Sequence, residues 1–131
     1  MKSIEQVVTF NASPRRVFEA LMDSKRHAAF TGEAAQVGRE VGSAFSVYGG
    51  KVSGITLDVE ADTRIVQAWR TGNLPQGVFT IATFALVPEG SGTKLTFTQV
   101  AVPEDVHAHL ATGWDERYWK PLRAYLEQVE A

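Results

Sequence analysis

Residues 113 to 126, GWDERYWKPLRAYL, constrain the fold more than any other stretch, because two tryptophans and two tyrosines sit on a helical apolar stripe. Leu110, Trp114, Tyr118, Leu122, Tyr125, Leu126 and Val129 recur at threes and fours, the spacing of one helix face. A stripe this bulky needs cover. The stretch from Phe45 to Val102 supplies it, since it reads as strands joined by tight turns. Large rings that prop a helix off a sheet leave an apolar space between the two layers, so an enclosed hollow for a small hydrophobic guest is expected there.

The remaining elements follow from local rules. Residues 3 to 10 alternate, with Ile4, Val8 and Phe10 on one face of a first strand. Ser13 is a good N-cap and Pro14 a good first helical residue, because proline's missing N–H would have had no partner there. Val17, Phe18, Leu21 and Met22 then keep helical spacing, and a second short turn or helix is expected over Ser24 to Ala29. Phe45 to Val59 reads as a hairpin around Gly49-Gly50, with Ile55, Leu57 and Val59 sharing a face. Further strands are expected over Arg64 to Arg70, with Ile65 and Trp69 on one face, over Val78 to Val87, and over Lys94 to Val102. Short connections make this an antiparallel meander.

Pro103 with Glu104 and Asp105 marks the entry to the terminal helix, the acids lying where the helix dipole favours them. Two residues break local rules inside it. Gly113 costs about 1 kcal/mol against alanine and Pro121 about 3 kcal/mol. The proline also strips the hydrogen bond to the carbonyl of Arg117, so looseness at Gly113 and a kink between Arg117 and Pro121 are expected. The order is a strand, one or two short helices, a six-stranded antiparallel run and a long C-terminal helix. That is an α+β helix-grip arrangement, a curved antiparallel sheet wrapped around the last helix.

The 131 residues fit one domain, spanning 1–131, and 44% hydrophobic against 21% charged residues is an ordinary globular balance. A net charge of −2 with scattered Lys and Arg offers no field for phosphates, so nucleic acid is not an expected partner. No segment approaches the roughly 20 apolar residues of a membrane span, and the alternating MKSIEQVVTF is not an export signal. Zero cysteines remove disulfides and thiolate chemistry and fit a reducing compartment, with the cytoplasm as the expected location.

Reactive constellations are sparse. His107 and His109, two apart on a helix, point about 200° apart and cannot share one ion, so they read as a solvated face. His27 near Arg26 and Glu33 reads as a surface or capping residue. Asp58, Glu60 and Asp62 alternate, and exposed strand polarity explains them without a cation, so no metal is expected. Glycines 49, 50 and 54 lack the lysine and following helix of a phosphate loop, no serine has a nucleophile-elbow context, and no cofactor is expected.

Several segments carry a resemblance across nearly the whole chain: AFTGEAA at 29–35, FSVYGGKVSG at 45–54, RIVQAWR at 64–70, GTKLTFTQ at 92–99, and GW at 113–114 followed by YWKPLRAYL. Their order and spacing resemble the family built on the C-terminal domain of the activator of heat-shock protein 90 ATPase, within the START-like (SRPBCC) superfamily. The resemblance implies a helix-grip fold and, across the superfamily, an internal cavity for lipids, sterols or other apolar molecules. Candidate cavity-lining residues are Phe45, Trp69, Arg70, Phe79, Phe97, Gln99, Trp114 and Tyr118. Rings at this spacing are core more often than ligand contacts, and Arg70 and Gln99 read either as groups that reach the rim or as polar groups turned inward to orient a ligand.

The leading reading is therefore a protein that binds a small hydrophobic or aromatic ligand between sheet and terminal helix. A chaperone-interaction module acting on a heat-shock protein 90 ATPase is the alternative from another class. A cyclase- or aromatase-like enzyme using His27, Arg70 or Tyr118 as proton carriers is a third, although no catalytic motif of that kind can be placed.

Overall fold

The computed structural model describes residues 1–72 and 74–129. Strand β1 (Lys2–Phe10) leads into helices α1 (Pro14–Met22) and α2 (Ser24–Thr31). Strands β2 (Ala44–Val47), β3 (Val52–Glu60), β4 (Arg64–Thr71), β5 (Thr80–Glu89) and β6 (Gly92–Val102) follow. Helices α3 (Glu104–Trp114) and α4 (Lys120–Val129) end the chain, joined by residues 115–119. All six strands pair antiparallel in the order β1-β6-β5-β4-β3-β2, so the run after the short helices holds five strands and β1 completes the sheet beside β6. This is the helix-grip arrangement.

Local chemistry sets the element ends. Ser13 Oγ accepts from the Arg16 N–H at 3.3 Å and Pro14 opens α1, while the Asp23 carboxylate accepts from the Arg26 N–H at 3.0 Å to start α2. The second short helix therefore runs two residues past the expected Ala29 and stops at Gly32, whose φ of 80° suits a residue without a Cβ.

The hairpin between β2 and β3 turns through Tyr48, Gly49 and Gly50, and the face of β3 that packs inward carries Val52, Gly54 and Thr56. Ile55 and Leu57, the expected apolar face, are each 42% exposed on the outer side. The reason lies at Gly54, where a Cβ would sit 1.8 Å from the carbonyl oxygen of Ala68 and 2.7 Å from the Phe45 ring. Only glycine lets the sheet close over Phe45 there, and that pins the register. A bulge between Thr56 and Asp58 then shifts the alternation before the strand ends.

The terminal helix changes pitch in its middle. The Lys120 N–H bonds to the carbonyl of Asp115, five residues back, so residues 115–119 form one wide π turn ahead of Pro121. The extra residue turns both Tyr118 and Trp119 inward. Trp119, 2% exposed, sits over Phe97 and Phe84, with its indole N–H donating to Gln6 Oε1 at 2.7 Å. Gly113 lies within regular α3, so the irregularity falls in residues 115–119, ahead of Pro121, rather than at the glycine.

Candidate functional site

Beside this bend the sheet and helix part, leaving a cleft of about 370 Å³. Val52, Trp69, Thr71 and Gln99 line it from the sheet, and Leu110, Gly113, Trp114, Arg117 and Tyr118 from the helix. Trp69 and Trp114 stand 4.7 Å apart between ring centroids, as do Trp114 and Tyr118. Both indole N–H groups are already used inside the protein. Trp114 Nε1 donates to Gln99 Oε1 at 2.8 Å, and Trp69 Nε1 donates to Gln67 Oε1 at 2.7 Å. Gln99 is itself held by donating to Thr80 Oγ1 at 2.8 Å. A guest would thus meet the rings as apolar surface rather than as donors.

The mouth is polar. Glu33 and Lys51 form an ion pair at 3.6 Å, His109 and Arg117 line the helix side, and the Tyr48 hydroxyl donates to the carbonyl of Arg117. Burial pushes the Tyr48 phenol up to about 12, so it stays a donor at any ordinary pH.

A second space, about 10 Å³, lies deeper, lined by His27, Phe45, Gln67, Trp69 and Tyr118 among others. It holds roughly one water. The expected enclosed hollow is therefore not a single chamber, because the rings fill the interior and the usable volume is open at one end. Trp69 and Tyr118 form the wall shared by the two spaces. On the inner side His27 Nε2 hydrogen-bonds the Tyr118 hydroxyl at 2.5 Å, and His27 Nδ1 has no partner among the described residues.

Over residues 11–127 the chain matches the family model described as Activator of Hsp90 ATPase homolog 1-like protein. The chain belongs to that family. Among curated family members it is 27% identical over 114 residues to the activator of 90 kDa heat shock protein ATPase homolog of Dictyostelium discoideum, covering 86% of this chain and 30% of that protein. It is 25% identical over 115 residues to homolog 1 of Homo sapiens, covering 88% of this chain and 34% of that one. The chain thus spans about a third of the length of these relatives. Among solved structures, an HSP90 activator from Plasmodium falciparum superposes with a TM-score of 0.90 at 20% identity, over 97% of each chain. That likeness shows a shared fold.

The residues expected to line a cavity in this family member fall into three groups. Trp69, Gln99, Trp114 and Tyr118 lie together on the cleft wall. Phe45 lines the small void, and Phe97 is buried beneath Trp114 at 4.2 Å between centroids. Arg70 and Phe79 are elsewhere. The Arg70 guanidinium donates to the carbonyls of Pro75 at 2.5 Å and Val78 at 3.2 Å, closing the loop before β5, and Phe79 is 39% exposed on that loop. Tyr48, Lys51 and Arg117 also line the cleft without having been expected there, and Leu110 joins them from the apolar stripe of the terminal helix. Of the first three only Tyr48 carried a signal, a ring set just before two glycines.

His27 departs most from its expected surface position. It is 1% exposed, and burial pulls its imidazole down to about 4, leaving it neutral at pH 7. His27 does not line the cleft, so the His27–Tyr118 pair meets the inner void instead. His107 Nε2 is 2.9 Å from the carbonyl of Ser3, and Asp58 and Glu60 pair with Arg64 at 2.7 and 3.6 Å. No helix among the described residues is long and apolar enough to cross a membrane.

Proposed function

We propose that this chain binds a small apolar or aromatic molecule in the cleft between the sheet and the C-terminal helix. The observation that carries this reading is the row of Trp69, Trp114 and Tyr118 along a cleft of about 370 Å³, within the size range of small-molecule sites. Their polar atoms are satisfied internally, which favours binding by ring faces and exclusion of water. Thermal-shift and native mass spectrometry screens of lipids and aromatic metabolites test it. A ligand that raises the melting temperature and is retained at one copy per chain supports the reading; the lack of any such ligand defeats it.

A second reading rests on the relatives, two of which are named activators of the 90 kDa heat shock protein ATPase. In that reading the chain docks on a chaperone of the same kind and changes its ATP turnover. Mixing the two proteins and measuring the ATPase rate tests it, and an unchanged rate without a detectable complex removes it. The cyclase-like reading has less support, because His27 and Arg70, two of its three proton carriers, do not line the cleft.

A further inference from the structure

Arg117 differs from the other charges around the cleft. Lys51 is offset by Glu33 at 3.6 Å, and the neighbouring acids Asp115 and Glu116 are engaged by Lys120 at 3.5 and 3.4 Å. Arg117 forms no ion pair among the described residues, although it lines the cleft and its charge acts on the Tyr48 phenol. Its backbone is also fixed where few helical residues are, because its carbonyl is gripped by Tyr48 in the wide turn before Pro121. Among the described residues the mouth therefore carries one uncompensated positive charge, beside the row of rings formed by Trp69, Trp114 and Tyr118.

Building on the ligand reading above, we infer that the molecule this cleft takes is an apolar or aromatic body ending in a carboxylate, with Arg117 as the residue that recognises the charged end. The planar fork of a guanidinium matches a carboxylate's two oxygens, and no rearrangement of an existing ion pair is needed to free it. Lys51 has the lesser part, since an incoming carboxylate would compete with Glu33 for it. The acid end stays at the open mouth, where it keeps part of its hydration, while the body displaces water from Val52, Leu110 and the rings.

The experiment compares 2-naphthoate with its neutral isostere 2-naphthamide on the full chain, read by quenching of tryptophan fluorescence and by calorimetry, with Arg117→Gln and Lys51→Gln alongside. The expected result is that naphthoate binds about fivefold more tightly than the amide, the range of a partly exposed charge pair. Arg117→Gln should abolish that preference, and Lys51→Gln should reduce it only slightly. Equal binding of both probes, or a preference that survives Arg117→Gln, overturns the inference and leaves the cleft reading intact. If neither probe binds and the screens find no other ligand, the cleft reading itself fails.

Discussion

The phenolic hydroxyl of Tyr48 donates to the backbone carbonyl of Arg117, the group that Pro121 deprives of its ordinary helical partner. Two local irregularities answer each other across the cleft. Tyr48 itself holds a φ of 54°, a left-handed backbone that costs a non-glycine residue about 1 kcal/mol or more. The ring reaches the helix from that turn and satisfies the freed carbonyl.

Removing the hydroxyl should therefore loosen the bend. Tyr48→Phe is expected to lose about 1 kcal/mol in urea denaturation. In a Pro121→Ala background, where residue 121 regains an N–H, the same change should cost clearly less. Equal losses in both backgrounds would mean that the two residues act independently.

His27 predicts a pH dependence whose sign is fixed by its burial. Its folded pKa, about 4, lies below the ordinary 6.5, so the unfolded chain takes up the proton first as pH falls. The stability it supports is whole above pH 6.5 and drains away between 6.5 and 4, by on the order of 3 kcal/mol. His27→Gln should flatten that part of the curve relative to the parent when denaturation is followed from pH 7 to pH 4. Parallel curves would show that His27 has the same pKa in the folded chain as in the unfolded one.

Gly113 lies in regular helix with nothing within 4 Å of the position a Cβ would take, and it lines the cleft. Gly113→Ala should raise stability by about 1 kcal/mol while adding a methyl group to the binding wall. A thermal melt and a ligand titration on the same variant are expected to move in opposite directions: firmer fold, weaker binding.

Gly54 is the opposite case. A Cβ there would fall 1.8 Å from the Ala68 carbonyl oxygen, a backbone atom that cannot step aside, so Gly54→Ala should part β3 from β4. A loss of about 3 kcal/mol is expected by chemical denaturation, with Gly113→Ala as the control for glycine replacement as such. A Gly54→Ala protein as stable as the parent would show that the register can slip without penalty.

Much of the fold was legible because it rests on interactions between near neighbours in the chain. The cap at Ser13, the turn at Gly49-Gly50, the helix start at Glu104 and the disturbance before Pro121 each follow from a few adjacent residues. Trp69, Trp114 and Tyr118 could likewise be singled out, since helical and strand spacing puts large rings between two layers. The same periodicity misled where both faces of a strand are apolar enough, as in β3, because alternation says which residues share a face and not which face is covered. Gly54, a residue with no side chain, made that choice through its contact with Ala68 and Phe45.

What the amino-acid order determined by itself is the kind and sequence of the elements, and with them the helix-grip arrangement. Only the tertiary structure decided that His27 is buried against Tyr118, 91 positions away, that Arg70 turns to its own loop, and that Arg117 lines the cleft mouth without an ion pair among the described residues. The reason is physical: dihedral preference, capping and periodicity act over a few residues and can be read along a chain. Burial and charge pairing depend on which distant side chains the closed sheet brings within a few ångströms.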